Sequence, residues 1–160
     1  MSDRLKAAAV ACCMLGLAIA GYLTYVHYAG VSPVCEIAHG CEKVQSSRWS
    51  EVAGVPVALL GLLGYAGILA ALFVPGEAGL VAAAGQAVVG CGFSAYLTYR
   101  EVFTIDAICI WCVASALLMA TLAVLTVLRL MRADPSAGVS PAHRATARPR
   151  ATAAASRGGR

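Results

Sequence analysis

Four long runs of apolar residues divide the chain, and charged residues are confined to the segments between them and to the two ends. The runs cover residues 7–28, 52–73, 78–99 and 107–128, and none of them contains Asp, Glu, Lys or Arg. A helix of that length rises about 33 Å, which is enough to cross the hydrocarbon core of a bilayer. The pattern therefore predicts four membrane-spanning helices, with one long connecting loop at 29–51.

The short connections between the later runs favour an up-and-down arrangement of the helices. Small residues recur at every fourth position of the first and third runs, where they let helix backbones approach closely in a bilayer: Cys12, Gly16, Ala20 and Thr24, then Ala83, Ala87, Cys91 and Ala95. The fold class that we expect is all-α, an integral membrane four-helix bundle formed by residues 1–132.

Composition supports a membrane protein and argues against a nucleic-acid partner. Hydrophobic residues make up 60% of the 160-residue chain and charged residues only 12%, whereas soluble domains carry about 25% charged residues. The net charge is +4, but most basic residues lie from Arg129 onward. We expect residues 133–160, which are rich in Ala and Arg, to be a disordered cytoplasmic tail, and no aromatic stacking platform accompanies their charge.

The basic residues near the ends of the runs predict the orientation. Arg4 and Lys6 precede the first run, and Arg129 and Arg132 follow the last. Because basic residues favour the cytoplasmic side, both termini are predicted to be cytoplasmic and the 29–51 loop to face outward. A cleaved signal peptide is the competing interpretation of the first run, although that run continues past the usual length.

The last run begins with a Cys-x-x-Cys pair, Cys109 and Cys112. Cysteines at positions i and i+3 of a helix face the same way and can form a disulfide. Thr104 or Asp106 is a candidate cap for this helix, which would place Cys109 where free N–H groups favour a thiolate. Cys112 would lie one turn deeper among apolar residues.

A second pair, Cys35 and Cys41, lies in the long loop and faces the same, oxidising side. Three interpretations compete on these residues. The two pairs are structural disulfides, or all four cysteines bind zinc, or one pair passes electrons to the other by thiol–disulfide exchange. The Cys-x5-Cys spacing is wider than zinc sites usually have, so we expect no metal site, and the other two interpretations stay open.

Four motifs occur in one order along the chain: Cys35-x5-Cys41, Ser46-Ser47-Arg48-Trp49, Gly54-Val55-Pro56 and Cys109-x-x-Cys112. In this order and spacing the chain resembles the vitamin K epoxide reductase (VKOR) family over about residues 7–130, as a bacterial homologue without a fused thioredoxin-like domain. The disulfide bond protein B family also has four spans and two cysteine pairs, but its Cys-x-x-Cys comes in the first half.

The resemblance implies a helix bundle around a quinone, menaquinone or ubiquinone, that accepts electrons. It implies that Cys109 and Cys112 reduce the quinone, with Cys112 in contact with its ring. Cys35 and Cys41 would shuttle electrons inward, with Cys41 forming the mixed disulfide with Cys109. Ser47 would lie beside the quinone, where its hydroxyl is a reasonable donor to a quinone oxygen; the alternative role for Ser47 is a cap or turn residue.

The resemblance also implies a partner and a location. The thiol partner would be a separate secreted thioredoxin-like or DsbA-like protein, and the chain would be a multi-pass protein of the bacterial inner membrane with its active site on the periplasmic side. Ala116 stands where the vertebrate branch has a tyrosine, so quinone is expected as the acceptor rather than an epoxide. The alternative function is a non-enzymatic membrane bundle with two structural disulfides.

Overall fold

A computed structural model describes residues 2–35, 40–47 and 49–133 of the chain. Its elements in order are α1 (Ser2–Ala29), α2 (Cys41–Gln45), β1 (Glu51–Val52), β2 (Val55–Pro56), α3 (Val57–Phe73), α4 (Glu77–Arg100), a π-helical segment (Glu101–Ile105) and α5 (Ile110–Met131). The structure is mostly helical, as predicted. The predicted tail lies outside the described residues from position 134 onward.

Within the described residues, three helical stretches are long and apolar enough to cross a membrane: α1, α4 with the π-helical segment, and α5. They correspond to the first, third and fourth apolar runs, each extended by charged residues at an end, such as Arg4 and Arg100. The second of these stretches, which corresponds to the third apolar run, includes residues 101–105, which the sequence pattern assigned to a connecting loop. A helix therefore continues past the last uncharged position of that run.

The second apolar run forms a shorter helix than predicted. Residues 52–56 belong to a β-hairpin in which Glu51 pairs with Pro56 and Val52 with Val55. Ala53 (φ 53°) and Gly54 (φ 79°) both adopt positive φ at its turn, as hairpins of this length favour. The prediction of a helix from residue 52 is wrong here. Helix α3 has 17 residues and a length of about 25 Å.

The four long helices pack in a ring. Helix α1 packs mainly against α3 and α5, and α4 packs mainly against the same two helices. Their shared core is built around side chains that are almost fully buried, among them Cys13, Tyr65, Ile68, Ala87 and Leu122. Small residues of the predicted stripes lie in this core or against it, so the free cysteines Cys12, Cys13 and Cys91 occupy packing positions.

The close contact of Gly16 in α1 with the Tyr65 ring in α3 leads to a stability prediction. A Cβ at Gly16 would overlap the ring of Tyr65, whereas a Cβ at Gly85, in the exposed part of α4, meets no described atom within 4 Å. We expect Gly16→Ala to destabilise the protein by about 1–3 kcal/mol because the core is overpacked. Gly85→Ala should be neutral or stabilising by up to about 1 kcal/mol. Thermal unfolding of both variants in detergent measures the difference, and equal midpoints would contradict the packing.

Candidate functional site

The Cys-x-x-Cys pair lies at the start of α5, but this helix begins at Ile110, three residues later than the predicted start at residue 107. Cys109 is itself the N-cap residue, with an extended backbone (φ −98°, ψ 114°), and Cys112 lies in the first turn. Asp106 has a left-handed backbone (φ 51°) and ends the π-helical segment. Among the described residues no side chain caps α5, so the prediction that Thr104 or Asp106 caps it is wrong.

A carboxylate holds the turn that leads into α5. Glu101 Oε2 accepts the backbone N–H of Cys109 at 3.2 Å, and the backbone oxygen of Glu101 accepts the N–H groups of Asp106 and Ala107. The Glu101 residue is only 4% exposed. Sequence reasoning missed Glu101, although it is the only acidic residue between positions 78 and 105 and lies eight residues before Cys109.

Cys109 and Cys112 are free thiols that contact each other. A hydrogen bond from the Cys112 thiol lowers the pKa of Cys109 below its ordinary value, against the opposing effect of burial. The lowered pKa agrees with the expectation of a thiolate at Cys109. Its main cause is the neighbouring sulfur, however, and not a capped helix start.

The second pair lies against the first. Cys35 and Cys41 form a disulfide, with their Cα atoms 6.2 Å apart. Cys41 and Cys109 are both fully buried, and with Val44 they form one small apolar cluster. Cys35 is only partly buried and packs against the edge of this cluster. The fold therefore brings the two sequence-distant cysteine pairs together and leaves Cys35 as the more accessible sulfur of its disulfide.

Two aromatic residues fix the segment that leads to Cys35. The hydroxyl of Tyr22 accepts the Val34 N–H at 3.0 Å, and the indole Nε1–H of Trp111 donates to the Val34 carbonyl at 2.9 Å. The two rings lie 5.2 Å apart, centroid to centroid. Because Tyr22 belongs to α1 and Trp111 to α5, the loop disulfide is attached to both helices. Sequence reasoning did not assign this role to either residue.

A cavity of about 170 Å³ lies next to the cysteine cluster. Cys112 and Ser47 both line it, together with Glu101, Tyr65 and many apolar residues. A Cβ at Gly64, also in the lining, would meet no described atom within 4 Å, so the glycine leaves room there. The lining has the character of a site for an apolar ring compound with few polar groups.

The polar groups of the cavity are partly engaged with the protein. Ser47 Oγ donates to the Val44 carbonyl at 2.7 Å. This is a turn interaction, which is the alternative role that the sequence offered for Ser47. Its oxygen retains lone pairs, but donation to a ligand requires the hydroxyl to leave Val44. Tyr65 donates to the backbone oxygen of Ser115 at 2.8 Å. Hence Ser47 and Tyr65 are positioned at the cavity but are not free donors.

A cation lies at the rim of the cavity. The guanidinium of Arg100 stacks on Trp49 at 4.3 Å from the ring centroid, and its Nε–H donates to the hydroxyl of Tyr96 at 3.1 Å. Both Arg100 and Trp49 line the opening. This stacking joins the segment after α2 to the end of α4 and closes one side of the cavity.

The hydrogen bond between the two thiols generates a pH prediction. Removing the donor in Cys112→Ala should raise the pKa of Cys109, because burial then acts alone on the thiolate. At a given pH less thiolate is present, so alkylation of Cys109 by iodoacetamide should have its midpoint about one pH unit higher. Cys112→Ser keeps a hydroxyl donor and should retain the lower midpoint. Peptide mass spectrometry of the reduced protein across pH measures each cysteine separately, and identical profiles for the Ala and Ser variants would contradict the assignment.

A comparison with known families agrees with this geometry. The sequence profile of the Vitamin K epoxide reductase family matches residues 7–127. The match covers all four long helices up to Val127 and includes both cysteine pairs, Ser47 and Glu101. The chain is therefore a member of the vitamin K epoxide reductase family.

Proposed function

We propose that this protein is a quinone-coupled thiol oxidoreductase that reoxidises a secreted thiol partner. Membership of the family implies quinone-linked disulfide chemistry. The observation that carries the proposal is the single buried cluster of Cys41 and Cys109, next to a cavity that Cys112 lines. This arrangement provides a continuous path of sulfur atoms from the loop to an apolar site.

We infer the orientation from the charges at the helix ends. Arg4 and Lys6 lie at the start of α1, and Arg129 and Arg132 at the end of α5. With α3 as a fourth, short span, the ring of helices forms a membrane bundle with both termini in the cytoplasm. The cysteine cluster then lies at the outer surface of a bacterial inner membrane, on the oxidising, periplasmic side.

The electron path begins at the accessible sulfur. The partner is a thioredoxin-like or DsbA-like protein with two thiols. The thiolate of one attacks Cys35 and displaces Cys41, which forms a mixed disulfide between the partner and Cys35. The partner's second thiol then attacks the partner sulfur of this mixed disulfide and releases Cys35. The partner is oxidised to a disulfide, and Cys35 and Cys41 become thiols. Cys41 next attacks Cys109 of the oxidised Cys109–Cys112 pair, and Cys35 resolves the mixed disulfide. Each exchange moves two electrons inward and leaves the number of disulfides unchanged.

The acceptor site is the cavity beside Cys112. A quinone, menaquinone or ubiquinone, accepts two electrons and two protons to become a quinol, as Cys109 and Cys112 close to a disulfide. Cys112 and Ser47 are the residues that we assign to hold it, since both line the cavity. Ser47 would donate to a quinone oxygen once its hydroxyl leaves Val44. Ala116 also lines the cavity and offers no donor, which favours a quinone over an epoxide as the substrate.

The alternative function is a non-enzymatic membrane bundle with structural disulfides. It explains the Cys35–Cys41 disulfide equally well. It does not explain why Cys109 and Cys112 are paired thiols with a lowered pKa at Cys109, because a structural role needs neither property. It predicts no consumption of thiols by the protein.

The relay generates a trapping prediction. In Cys112→Ala, the Cys109 thiolate can still attack Cys41 of the Cys35–Cys41 disulfide and release Cys35 as a thiol. No thiol at position 112 can then displace Cys41, so a Cys41–Cys109 disulfide should accumulate, with return attack by Cys35 as its one internal route of loss. The burial of both sulfurs in one cluster is the reason for this choice. Peptide mapping under non-reducing conditions identifies the bond, with Cys91→Ala as a control that should show none. A Cys35–Cys109 bond with Cys41 free would mean that the order of the loop cysteines is reversed.

The acceptor site generates a turnover prediction. Cys112→Ala should abolish quinone reduction, and Ser47→Ala should lower it, by up to about 10²–10³-fold if its donor is well aligned. Loss of quinone absorbance with a reduced dithiol partner measures both variants. Wild-type protein should reduce the quinone faster than the corresponding epoxide. Full quinone reduction by Cys112→Ala would contradict the assigned acceptor site. Equal turnover of quinone and epoxide would contradict the assignment of quinone as the substrate.

A further inference from the structure

Glu101 is a buried carboxylate that the relay of cysteines does not use. It lies in the apolar stretch that continues α4, where an ionisable group is costly and usually functional. It begins the π-helical segment, and interruptions of this kind are frequent at functional sites. A purely structural acceptor for the Cys109 N–H does not require an ionisable side chain, because an amide oxygen accepts the same bond.

The contacts of Glu101 are with the reacting pair. Its carboxylate accepts the Cys109 N–H at 3.2 Å and lies within hydrogen-bonding reach of the Cys112 thiol, whose single S–H can donate either to Glu101 or to Cys109. In the described part of the chain the ion pair found is that of His27 and Glu51, and none joins a cation to Glu101. Its charge therefore rests on N–H and S–H donors alone, which makes the carboxylate an available proton acceptor.

Glu101 also faces the place where a proton is needed. It lines the same cavity as Cys112 and Ser47. Conversion of a quinone to a quinol consumes two protons, and conversion of two thiols to a disulfide releases two. A group that touches the Cys112 thiol and opens into the cavity connects the source of a proton with its destination.

We propose that Glu101 is a catalytic residue that takes the proton of Cys112 when the Cys109–Cys112 disulfide forms and delivers it to the quinone in the cavity. This inference rests on the proposed function. The two electrons leave the sulfur pair for the acceptor, and the S–S bond forms as both S–H bonds are lost. One proton passes from Cys112 through the Glu101 carboxyl group. The other leaves Cys109 to water, and water supplies the second proton of the quinol.

Other charged and titratable groups surround this site. At the start of α5 these are Cys109 and Cys112, and on α3 Tyr65 lines the same cavity. On α2 the ammonium of Lys43 donates to the backbone oxygen of Asp106 at 3.4 Å. On the segment of Glu101 itself, Arg100 is occupied by Trp49 and Tyr96. Among these groups, the Glu101 carboxylate contacts the Cys112 thiol, and Cys109 is hydrogen bonded to both residues.

The test compares two properties that Glu101→Gln should change in opposite directions. Glutamine keeps an acceptor for the Cys109 N–H but cannot carry the proton, so quinone turnover should fall by about 10²–10⁴-fold. The same change removes a negative charge beside the Cys112 sulfur and favours its thiolate. Without quinone present, alkylation of Cys112 by iodoacetamide at a fixed pH should therefore be faster than in the wild-type protein, by up to about tenfold. A variant that only displaces Cys109 and Cys112 from their positions is not expected to combine faster alkylation of Cys112 with slower quinone turnover.

Two further variants complete the experiment. Glu51→Gln removes a carboxylate that pairs with His27, and it should change neither property. Glu101→Asp keeps the charge on a shorter side chain and should retain more turnover than Glu101→Gln. All variants are first compared by thermal unfolding and by formation of the Cys35–Cys41 disulfide.

Unchanged turnover in Glu101→Gln would overturn the inference, and so would an unchanged alkylation rate for Cys112. Absence of quinone turnover in the wild-type protein would instead contradict the proposed function. In that case the alkylation comparison, which uses no quinone, still decides whether Glu101 acts on the Cys112 thiol, and an unchanged rate would again be decisive against it.

Discussion

The connection between α4 and α5 must satisfy its own backbone groups next to an apolar environment, and the geometry of the site depends on how it does so. In a bilayer, an unpaired N–H or C=O costs several kcal/mol. Here the backbone oxygen of Glu101 accepts N–H groups of Asp106 and Ala107, and its carboxylate accepts that of Cys109. One residue thus closes the turn, sets Cys109 as the N-cap of α5, and places the sulfur of Cys109 beside that of Cys112.

The apolar pattern predicted most of the helical framework and the sequence motifs predicted the cysteine pairs. The pattern failed at the helix ends, because hydrophobicity alone does not distinguish a hairpin from a helix over Val52–Pro56, where the positive φ angles of Ala53 and Gly54 decide. Treating charge as the limit of a span also excluded Glu101 from the helical stretch. A carboxylate can enter such a stretch when the fold supplies hydrogen-bond donors to it. Here the donor is the backbone N–H of Cys109, which no local pattern relates to position 101.

Ser47 illustrates what a motif can and cannot predict. Its place in the lining of the cavity follows from the turn after α2, and the motif pointed to that place. Its hydroxyl, however, is hydrogen bonded to Val44, which only the fold reveals. The same applies to Cys109, where a lowered pKa was expected from a capped helix start and arises instead from the Cys112 thiol. A residue's location is thus easier to predict than its hydrogen-bond partners, because partners depend on which segments meet.

The different spacings of the two cysteine pairs suit different tasks. In the Cys-x5-Cys loop, Cys35 stays partly exposed although it is disulfide-bonded to Cys41, which is fully buried. In the Cys-x-x-Cys pair, Cys109 is fully buried and Cys112 faces the cavity instead of the outer surface. In the proposed relay an external thiol would therefore attack Cys35 first, and electrons would reach Cys109 through Cys41. Since thiol–disulfide exchange is reversible and depends on access, the burial of Cys41 and Cys109 would restrict the proposed exchange with a partner protein to Cys35.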